Sequence, residues 1–133
     1  MDISNINVGD EMPAKKHTVG KYQPMVYAGA SGDFNPIHID PEFGKMVGLG
    51  GNILHGLCTM GFVTKTLVDF AGGDPASLKK LKVRFAKPVK PMETVEVTGK
   101  VIAKDGGTIT LQVAATTNKG EIQVITNAEA VLG

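Results

Sequence analysis

The second half of the chain alternates apolar and polar residues with the period of a β-strand. Ile109, Leu111 and Val113 are separated by Thr110 and Gln112. A period of two places the apolar side chains on one face of a strand and the polar ones on the other. The same reasoning predicts four strands, at residues 78–86, 94–103, 108–117 and 121–131, and a fifth near residues 15–19.

Short turn sequences connect the predicted strands. The Asp-Gly-Gly of residues 105–107 and the Asn-Lys-Gly of residues 118–120 are typical of tight hairpins. Two prolines within residues 87–91 favour an extended connection, since proline fixes its own backbone and cannot donate a hydrogen bond. Hairpins join antiparallel strands, so the pattern predicts an antiparallel sheet with one covered face.

A long helix is predicted over residues 54–70, where apolar residues recur at helical spacing. Lys65 and Asp69 are its only charged residues, and apolar side chains occupy nearly every face, as in a buried helix. A shorter helix is expected at residues 41–47. We therefore predict an α+β fold in which the long helix lies in the concave face of a twisted sheet.

Residues 27–38 read Tyr-Ala-Gly-Ala-Ser-Gly-Asp-Phe-Asn-Pro-Ile-His and carry the clearest chemical signal. Asn35 precedes a proline, which disfavours helical backbone at that residue, and Gly32 favours a turn. We predict that the whole segment is a loop with little backbone freedom. Such a loop would hold the Asp33 carboxylate beside the His38 imidazole, and the two groups can then share one proton-transfer task.

The composition is that of an ordinary globular domain. Of the 133 residues, 42% are hydrophobic and 20% are charged, and one domain spanning residues 1–133 is expected. No apolar run is long enough to cross a membrane, and the N-terminus lacks the basic and apolar regions of a signal peptide. We therefore expect a soluble, cytoplasmic protein with no membrane partner.

The net charge and the few potential metal ligands narrow the range of possible functions further. The formal net charge of +1 gives no reason to expect nucleic acid binding. Cys58 is the only cysteine and the chain has three histidines, so no metal site is predicted. A basic cluster is the local exception, and alternation would put three of its members on one strand face: Lys80, Lys82 and Arg84. This stripe either meets a phosphorylated ligand or is simply solvated.

Residues 27–38, with the Ile-Leu-His-Gly of residues 53–56, resemble the hydratase motif of the MaoC-like (R)-specific enoyl-CoA hydratases and (3R)-hydroxyacyl-ACP dehydratases. Within that family the likeness is greatest to the short single-domain forms, including the dehydratase B subunit of mycobacterial type II fatty acid synthesis. It extends over most of the chain, from residues 8–10 to the final strands. The resemblance implies a single hot-dog domain, in which an antiparallel sheet wraps around a long central helix beneath an overhanging active-site loop.

The resemblance also implies a reaction. Asp33 and His38 would together bind and activate the water that adds to C3 of a trans-2-enoyl thioester, and the reverse reaction removes water from a (3R)-hydroxyacyl thioester. Which of the two residues is acid and which is base stays open. The family places an oxyanion-binding role at Gly56, at the start of the long helix, where free backbone N–H groups carry partial positive charge.

Other positions would have supporting roles. Thr64 occupies the place of a hydroxyl that supports the catalytic carboxylate, often a serine in the family, and Asn35 is expected to support the same site. His55 is expected either to contact the substrate or to hydrogen-bond the active-site loop. The three basic residues Lys80, Lys82 and Arg84 are expected to meet the phosphates of CoA or an acidic carrier protein.

Two other functions fit parts of the pattern. A hot-dog acyl-CoA thioesterase directs attack at the carbonyl carbon and usually lacks the Asp-x-Asn-Pro-x-His loop. A non-catalytic acyl-binding partner tends to lose the acid or the histidine, whereas this chain has both.

The expected substrate is an acyl-CoA or acyl-ACP thioester, with no further cofactor. Acyl chain length, the carrier and the physiological direction stay open. Unpaired sheet edges favour a homodimer or a higher homo-oligomer, and the alternative is a heterodimer in which this chain is the catalytic half.

Overall fold

The computed structural model describes residues 1–133 as one antiparallel sheet, one long helix and three short helices. The strands are β1 (Glu11–Thr18), β2 (Leu78–Phe85), β3 (Thr94–Asp105), β4 (Thr108–Thr117) and β5 (Ile122–Leu132). The helices are α1 (Gln23–Ser31), α2 (Pro36–Ile39), α3 (Pro41–Met46) and α4 (Gly56–Phe70). Two short 3-10 turns lie at Pro75–Ser77 and Asn118–Gly120.

The sheet confirms the predicted α+β hot-dog architecture. Its strand order is β1-β3-β4-β5-β2, and every neighbouring pair is antiparallel. Ile109, Leu111 and Val113 are buried, whereas Gln112 is exposed, so the alternation along β4 separates a core face from a solvent face as predicted. Strands β1 and β2 form the two edges of the sheet.

The predicted hairpins are also present. Gly106 has a φ of 57° in the turn between β3 and β4. Asn118 and Lys119 have φ values of 52° and 56° in the turn before β5, in the left-handed region where asparagine is better tolerated than most residues. The strand predicted near residues 15–19 is longer than expected, since β1 begins at Glu11.

Helix α4 lies against the sheet through one face only. Val63 and Leu67 are fully buried, but Leu57 is 64% exposed, and Gly61 and Lys65 also face solvent. The expectation that α4 is buried on every side is therefore wrong for the single chain. The physical reason is geometric: one sheet covers one side of a helix, and the opposite side, which carries Lys65 and Asp69 as well as Leu57, is left open.

The predicted loop at residues 27–38 is in fact divided between two helices. Residues 27–31 form the end of α1, and only residues 32–35 lie outside helical structure. Gly32 ends α1 with a φ of 77°, and its N–H donates to the Ala28 carbonyl at 2.8 Å. Gly32 and the Asn-Pro pair do mark a turn, but the turn begins at Gly32, and the small residues before it belong to α1.

None of the helices is both long and apolar enough to cross a membrane.

Candidate active site

Asp33 lies in the loop between α1 and α2, where one hydrogen bond holds its carboxylate and another holds its backbone. The Asn35 N–H donates to Asp33 Oδ1 at 3.2 Å, and the Asp33 N–H donates to the Ser31 hydroxyl at 3.2 Å. The side chain is 55% exposed, so Asp33 Oδ2 stays accessible to water. Asn35 has a second role, because its side chain accepts from the Ile37 N–H at 3.2 Å and caps α2.

The His38 imidazole lies on α2 and points its Nε2 at Asp33. Its Nδ1 is 2.8 Å from the Ile53 carbonyl oxygen, and a carbonyl only accepts, so Nδ1 carries the proton. In the neutral ring Nε2 is then an acceptor, and it lies 3.8 Å from Asp33 Oδ2. That separation is too long for a direct hydrogen bond. Two facing acceptors at this distance suit a water molecule that donates to both.

The segment before α4 fixes the position of His38. The Ile53 N–H donates to the Ile37 carbonyl at 2.9 Å, and the Asn52 side-chain amide donates to the His38 carbonyl at 2.9 Å. The next residue, Leu54, donates its N–H to the Val89 carbonyl at 2.7 Å. The α2 turn is therefore tied, through residues 52–54, to the proline-rich connection after β2.

A cavity of about 250 Å³ lies between His38 and the start of α4. Its polar lining residues include His38 and Thr59, and its apolar walls come from the end of β2 and the connection that follows. The lining residues are His38, Ile53, Leu54, Gly56, Thr59, Phe85, Ala86, Lys87, Pro88, Val89 and Val124. The imidazole and the helix start predicted from the sequence therefore share one cavity, with Asp33 beside the imidazole.

Gly56 gives this cavity an open helix N-terminus. The residue before it, His55, makes no side-chain hydrogen bond to cap α4, so the first N–H groups of the helix have no side-chain partner. A Cβ atom at Gly56 would lie 3.3 Å from two carbons of the Phe85 ring. The glycine thus lets the aromatic ring cover the helix start without displacing it, and the exposed N–H groups and the helix dipole favour a negatively charged oxygen there.

Thr59 is a cavity residue that the sequence analysis missed. It is 3% exposed and lies one helical turn after Gly56. Helical spacing of three residues from the predicted oxyanion position would have placed it on the same face of α4. The spacing is visible in the sequence, but Thr59 lies within a run of apolar residues that indicates only a buried helix.

Thr64 is not brought to the carboxylate in the single chain. Its hydroxyl donates to the Met60 carbonyl at 3.0 Å, one turn earlier in α4, and the residue does not line the cavity. No hydrogen bond joins this hydroxyl to Asp33 in the single chain, so the predicted support of the carboxylate is not seen there.

His55 contacts the active-site loop and not the cavity. It is 2% exposed, its Nε2 lies 2.9 Å from the Asp33 backbone oxygen, and its ring stacks on His38 with centroids 3.8 Å apart. The Tyr27 ring lies against it at a centroid distance of 4.7 Å. Of the two expectations for His55, this geometry corresponds to the hydrogen bond with the loop.

The predicted basic residues are exposed and lie along the edge strand β2 outside the cavity lining: Lys80, Lys82 and Arg84. The β2–β5 pairing shifts between Lys82 and Arg84, but the extra residue lies on β5, so the three basic residues keep the predicted alternation with the half-buried Leu81 and Val83. Lys87, a neighbouring member of the same basic cluster, lines the cavity itself. Positive charge therefore lies both along the strand and at the cavity.

The site also offers three side chains that could be considered for a metal, since ligand atoms of Asp33, His38 and His55 lie within 4.8 Å of one another. The two imidazole planes are only 20° from parallel and are stacked. A metal ion lies in the plane of each imidazole that binds it, and two stacked planes do not meet near the rings. The arrangement is thus better suited to an acid–base pair than to a metal centre.

Cys58 offers no competing nucleophile. Burial raises the pKa of this thiol, and a hydrogen bond from the Gln23 side chain at 3.7 Å offsets only part of the effect. A thiol with a raised pKa is a poor source of thiolate at neutral pH.

The fold and site together define a hot-dog protein with a carboxylate–imidazole pair beside the N-terminus of its central helix. The sequence matches the family described as MaoC like domain over residues 5–123. The chain belongs to this MaoC-like family.

Named relatives agree with that membership. A probable enoyl-CoA hydratase 2 from Dictyostelium discoideum is 45% identical over 82 residues, which cover 61% of this chain and 28% of that protein. The (R)-hydratase from A. caviae involved in PHA biosynthesis has a TM-score of 0.85 at 25% identity, covering 96% of each chain. A chain of the ChsH1–ChsH2 complex from Mycobacterium tuberculosis has a TM-score of 0.83 at 26% identity, covering 96% of this chain and 98% of that one. This chain aligns with less than a third of the length of the curated relatives it matches.

Proposed function

We propose that this chain is a hydro-lyase that reversibly hydrates trans-2-enoyl thioesters to (3R)-3-hydroxyacyl thioesters. The observation that carries the proposal is the 3.8 Å separation of Asp33 Oδ2 from His38 Nε2, beside a cavity that also contains the start of α4. The relatives named as enoyl-CoA hydratase 2 and (R)-hydratase support the same reaction class.

The carboxylate and the imidazole act on one water molecule. The water donates one hydrogen toward Asp33 Oδ2 and one toward His38 Nε2, which leaves an oxygen lone pair directed at the substrate. As the oxygen bonds to C3, one O–H bond breaks and its proton passes to the pair, while the C2=C3 π electrons move toward the thioester carbonyl. The pair then returns a proton to C2, so the sum of the steps is the addition of one water. Positioned proton transfer of this kind contributes about 10²- to 10⁴-fold in rate.

The N-terminus of α4 receives the negative charge that builds on the thioester oxygen. The Gly56 N–H is close to the cavity and has no side-chain cap competing for it. Preorganised donors of this type are worth about 2.7–4 kcal/mol each to the transition state, because they need no reorganisation as the charge develops.

The substrate carrier is a phosphopantetheine thioester, of CoA or of an acyl carrier protein. Lys87 at the cavity and the exposed basic residues of β2 supply cations for its phosphates or for an acidic carrier surface. The reaction is redox-neutral and moves only water and protons, so it calls for no organic cofactor.

The open face of α4 and the two free sheet edges favour assembly with another hot-dog chain, either a second copy or a different partner. The similarity to a chain of a two-component complex supports the heteromeric alternative, with this chain as the catalytic half. The cytoplasmic location expected from the sequence stays a prediction, because some curated relatives are named as peroxisomal proteins.

The proposal is tested by following loss of the conjugated thioester absorbance when the purified chain is mixed with crotonyl-CoA and longer enoyl-CoAs. We expect hydration, with a 3-hydroxyacyl product that only an (R)-specific dehydrogenase oxidises. Release of free CoA without hydration would instead indicate a thioesterase, and no turnover with either CoA or carrier-protein substrates would contradict the proposal.

A further inference from the structure

His55 contacts both members of the proposed catalytic pair without contacting the cavity. Its Nε2 lies 2.9 Å from the Asp33 backbone oxygen, and its ring stacks on His38 at a centroid distance of 3.8 Å. It is 2% exposed and is absent from the cavity lining. The ring does not line the cavity, so an effect of His55 on the reaction acts through the residues that it contacts.

The hydrogen bonds assign one form to the His55 ring. The Asp33 carbonyl only accepts, so Nε2 carries the proton and donates it. The other ring nitrogen, Nδ1, is buried without a hydrogen-bond partner. A second proton at Nδ1 would bury a charged N–H group with no acceptor, which is costly. The neutral ring with its proton on Nε2 is therefore the form that fits.

We propose that His55 is a positioning residue for the hydration, one that sets the relative placement of Asp33 and His38. The inference rests on the proposed function. The Nε2–H donor fixes the backbone of Asp33, and the flat neutral ring provides the surface against which His38 is oriented.

Two substitutions separate these contributions. His55→Phe keeps a flat ring for the stack but removes the donor to Asp33. His55→Gln places an amide nitrogen near the position of Nε2 and keeps the donor, but removes the ring. Because a displacement of about 1 Å in an active site can cost about 100-fold in rate, we expect kcat to fall about 100-fold in His55→Phe and to recover to within about 10-fold of the wild type in His55→Gln.

The KM for crotonyl-CoA should stay within about threefold in both variants, since a positioning residue acts on the reaction and not on substrate binding. His17→Phe is the matched control. This histidine also stacks on an aromatic ring and also hydrogen-bonds a side chain of the fold, but it lies against Phe62 and Thr66, away from the cavity. We expect its kcat per folded molecule to equal that of the wild type.

A measurement on the unaltered chain tests the inference even if a variant fails to fold. Two-bond ¹H–¹⁵N correlation spectra report which ring nitrogen carries the proton, and we expect Nδ1 for His38 and Nε2 for His55. A His55 proton on Nδ1, wild-type kcat in His55→Phe, equal losses in His55→Phe and His55→Gln, or a rise in KM that accounts for the loss would each overturn it. An inactive wild-type chain would count against the proposed function alone, because the ring tautomers would still be read.

Discussion

The sheet of residues 78–132 and the active-site segment of residues 23–55 differ in what holds them in place. In the sheet, fully buried side chains such as Leu111 and Ile125 belong to the same core cluster as Leu67 of α4. In the active-site segment, side chains are held mainly by hydrogen bonds to backbone groups, as in the pair from His38 to Ile53 and the pair from His55 to Asp33. Burial therefore stabilises the fold, whereas directed hydrogen bonds set the geometry of the site.

We therefore expect substitutions in the sheet to lower the free energy of unfolding and substitutions in the active-site segment to lower the reaction rate. The largest effect is expected at Asp33. Asp33→Asn keeps the size of the side chain and an acceptor for the Asn35 N–H but removes the negative charge that orients the water. We expect kcat for crotonyl-CoA to fall by about 10²- to 10⁴-fold. The free energy of unfolding should change by less than about 0.5 kcal/mol, because the side chain is exposed.

The matched control for this charge is Glu42→Gln, which removes an exposed acid that pairs with Lys45 at 2.8 Å on α3. Its kcat should be unchanged. Equal rates in Asp33→Asn and the wild type would remove the carboxylate from the mechanism, and a large loss of stability in Asp33→Asn would erase the contrast between the two regions.

The second-largest effect is expected on stability, with the reaction rate unchanged. Leu67→Ala deletes a fully buried side chain where α4 meets the sheet, and we expect the free energy of unfolding to fall by about 2–5 kcal/mol. Chemical denaturation measures this loss, and the rate per folded molecule should remain close to that of the wild type. A loss of rate with unchanged stability would show that the core and the site are not separable in this way.

A third substitution lies where the two regions meet. Gly56→Ala adds a Cβ that would lie 3.3 Å from the Phe85 ring, so either the ring or the start of α4 must move. We expect kcat/KM to fall by between about 10- and 100-fold through displacement of the helix N–H groups.

Gly61→Ala is the control in the same helix, since no atom lies within 4 Å of the added Cβ. Alanine is more favourable than glycine inside a helix by about 1 kcal/mol, so this variant should have a higher free energy of unfolding and the same reaction rate as the wild type. The same loss of rate in both alanine variants would contradict the assignment of Gly56.

The smallest expected effect concerns pH and stability. Burial of the ring, with a smaller contribution from Lys65, lowers the pKa of His17 from its ordinary value of 6.5. The unfolded chain then binds more protons than the folded chain as pH falls below about 6.5, so the contribution of this group to stability is present above that value and is lost below it.

In His17→Gln, which can retain a donor to the Thr66 hydroxyl, the free energy of unfolding should fall less between pH 7 and pH 5 than it does in the wild type. Parallel pH profiles for the two proteins would show that His17 has no such role.

Patterns with a local cause were predictable from the sequence. Alternation defined β4 at residues 108–117 to the residue, and helical spacing placed α4 within two residues of its observed start. The spacing of Asp33 and His38 around Asn-Pro also indicated that the two side chains would face each other, because a short capped turn leaves few other arrangements.

Features that depend on contacts between distant residues were not predictable. Helix α1 extends to Ser31 although Ala28, Gly29 and Ala30 offer little apolar pattern to mark a helix. The stack of His38 on His55 joins residues far apart in the sequence, and no periodicity records it. The exposed side of α4, by contrast, was marked in the sequence, because it carries Lys65 and Asp69, the only charged residues of the helix.

In the proposed reaction, Asp33 and His38 act as one unit on a single water molecule. A double-mutant cycle tests it most directly, with hydration rates of crotonyl-CoA measured for Asp33→Asn, His38→Ala and the double variant. Residues that act as a unit lose most of their joint effect when either is removed. We expect the double variant to be no slower than the slower of the two single variants, whereas single losses that multiply in the double variant would contradict the joint action of the two residues.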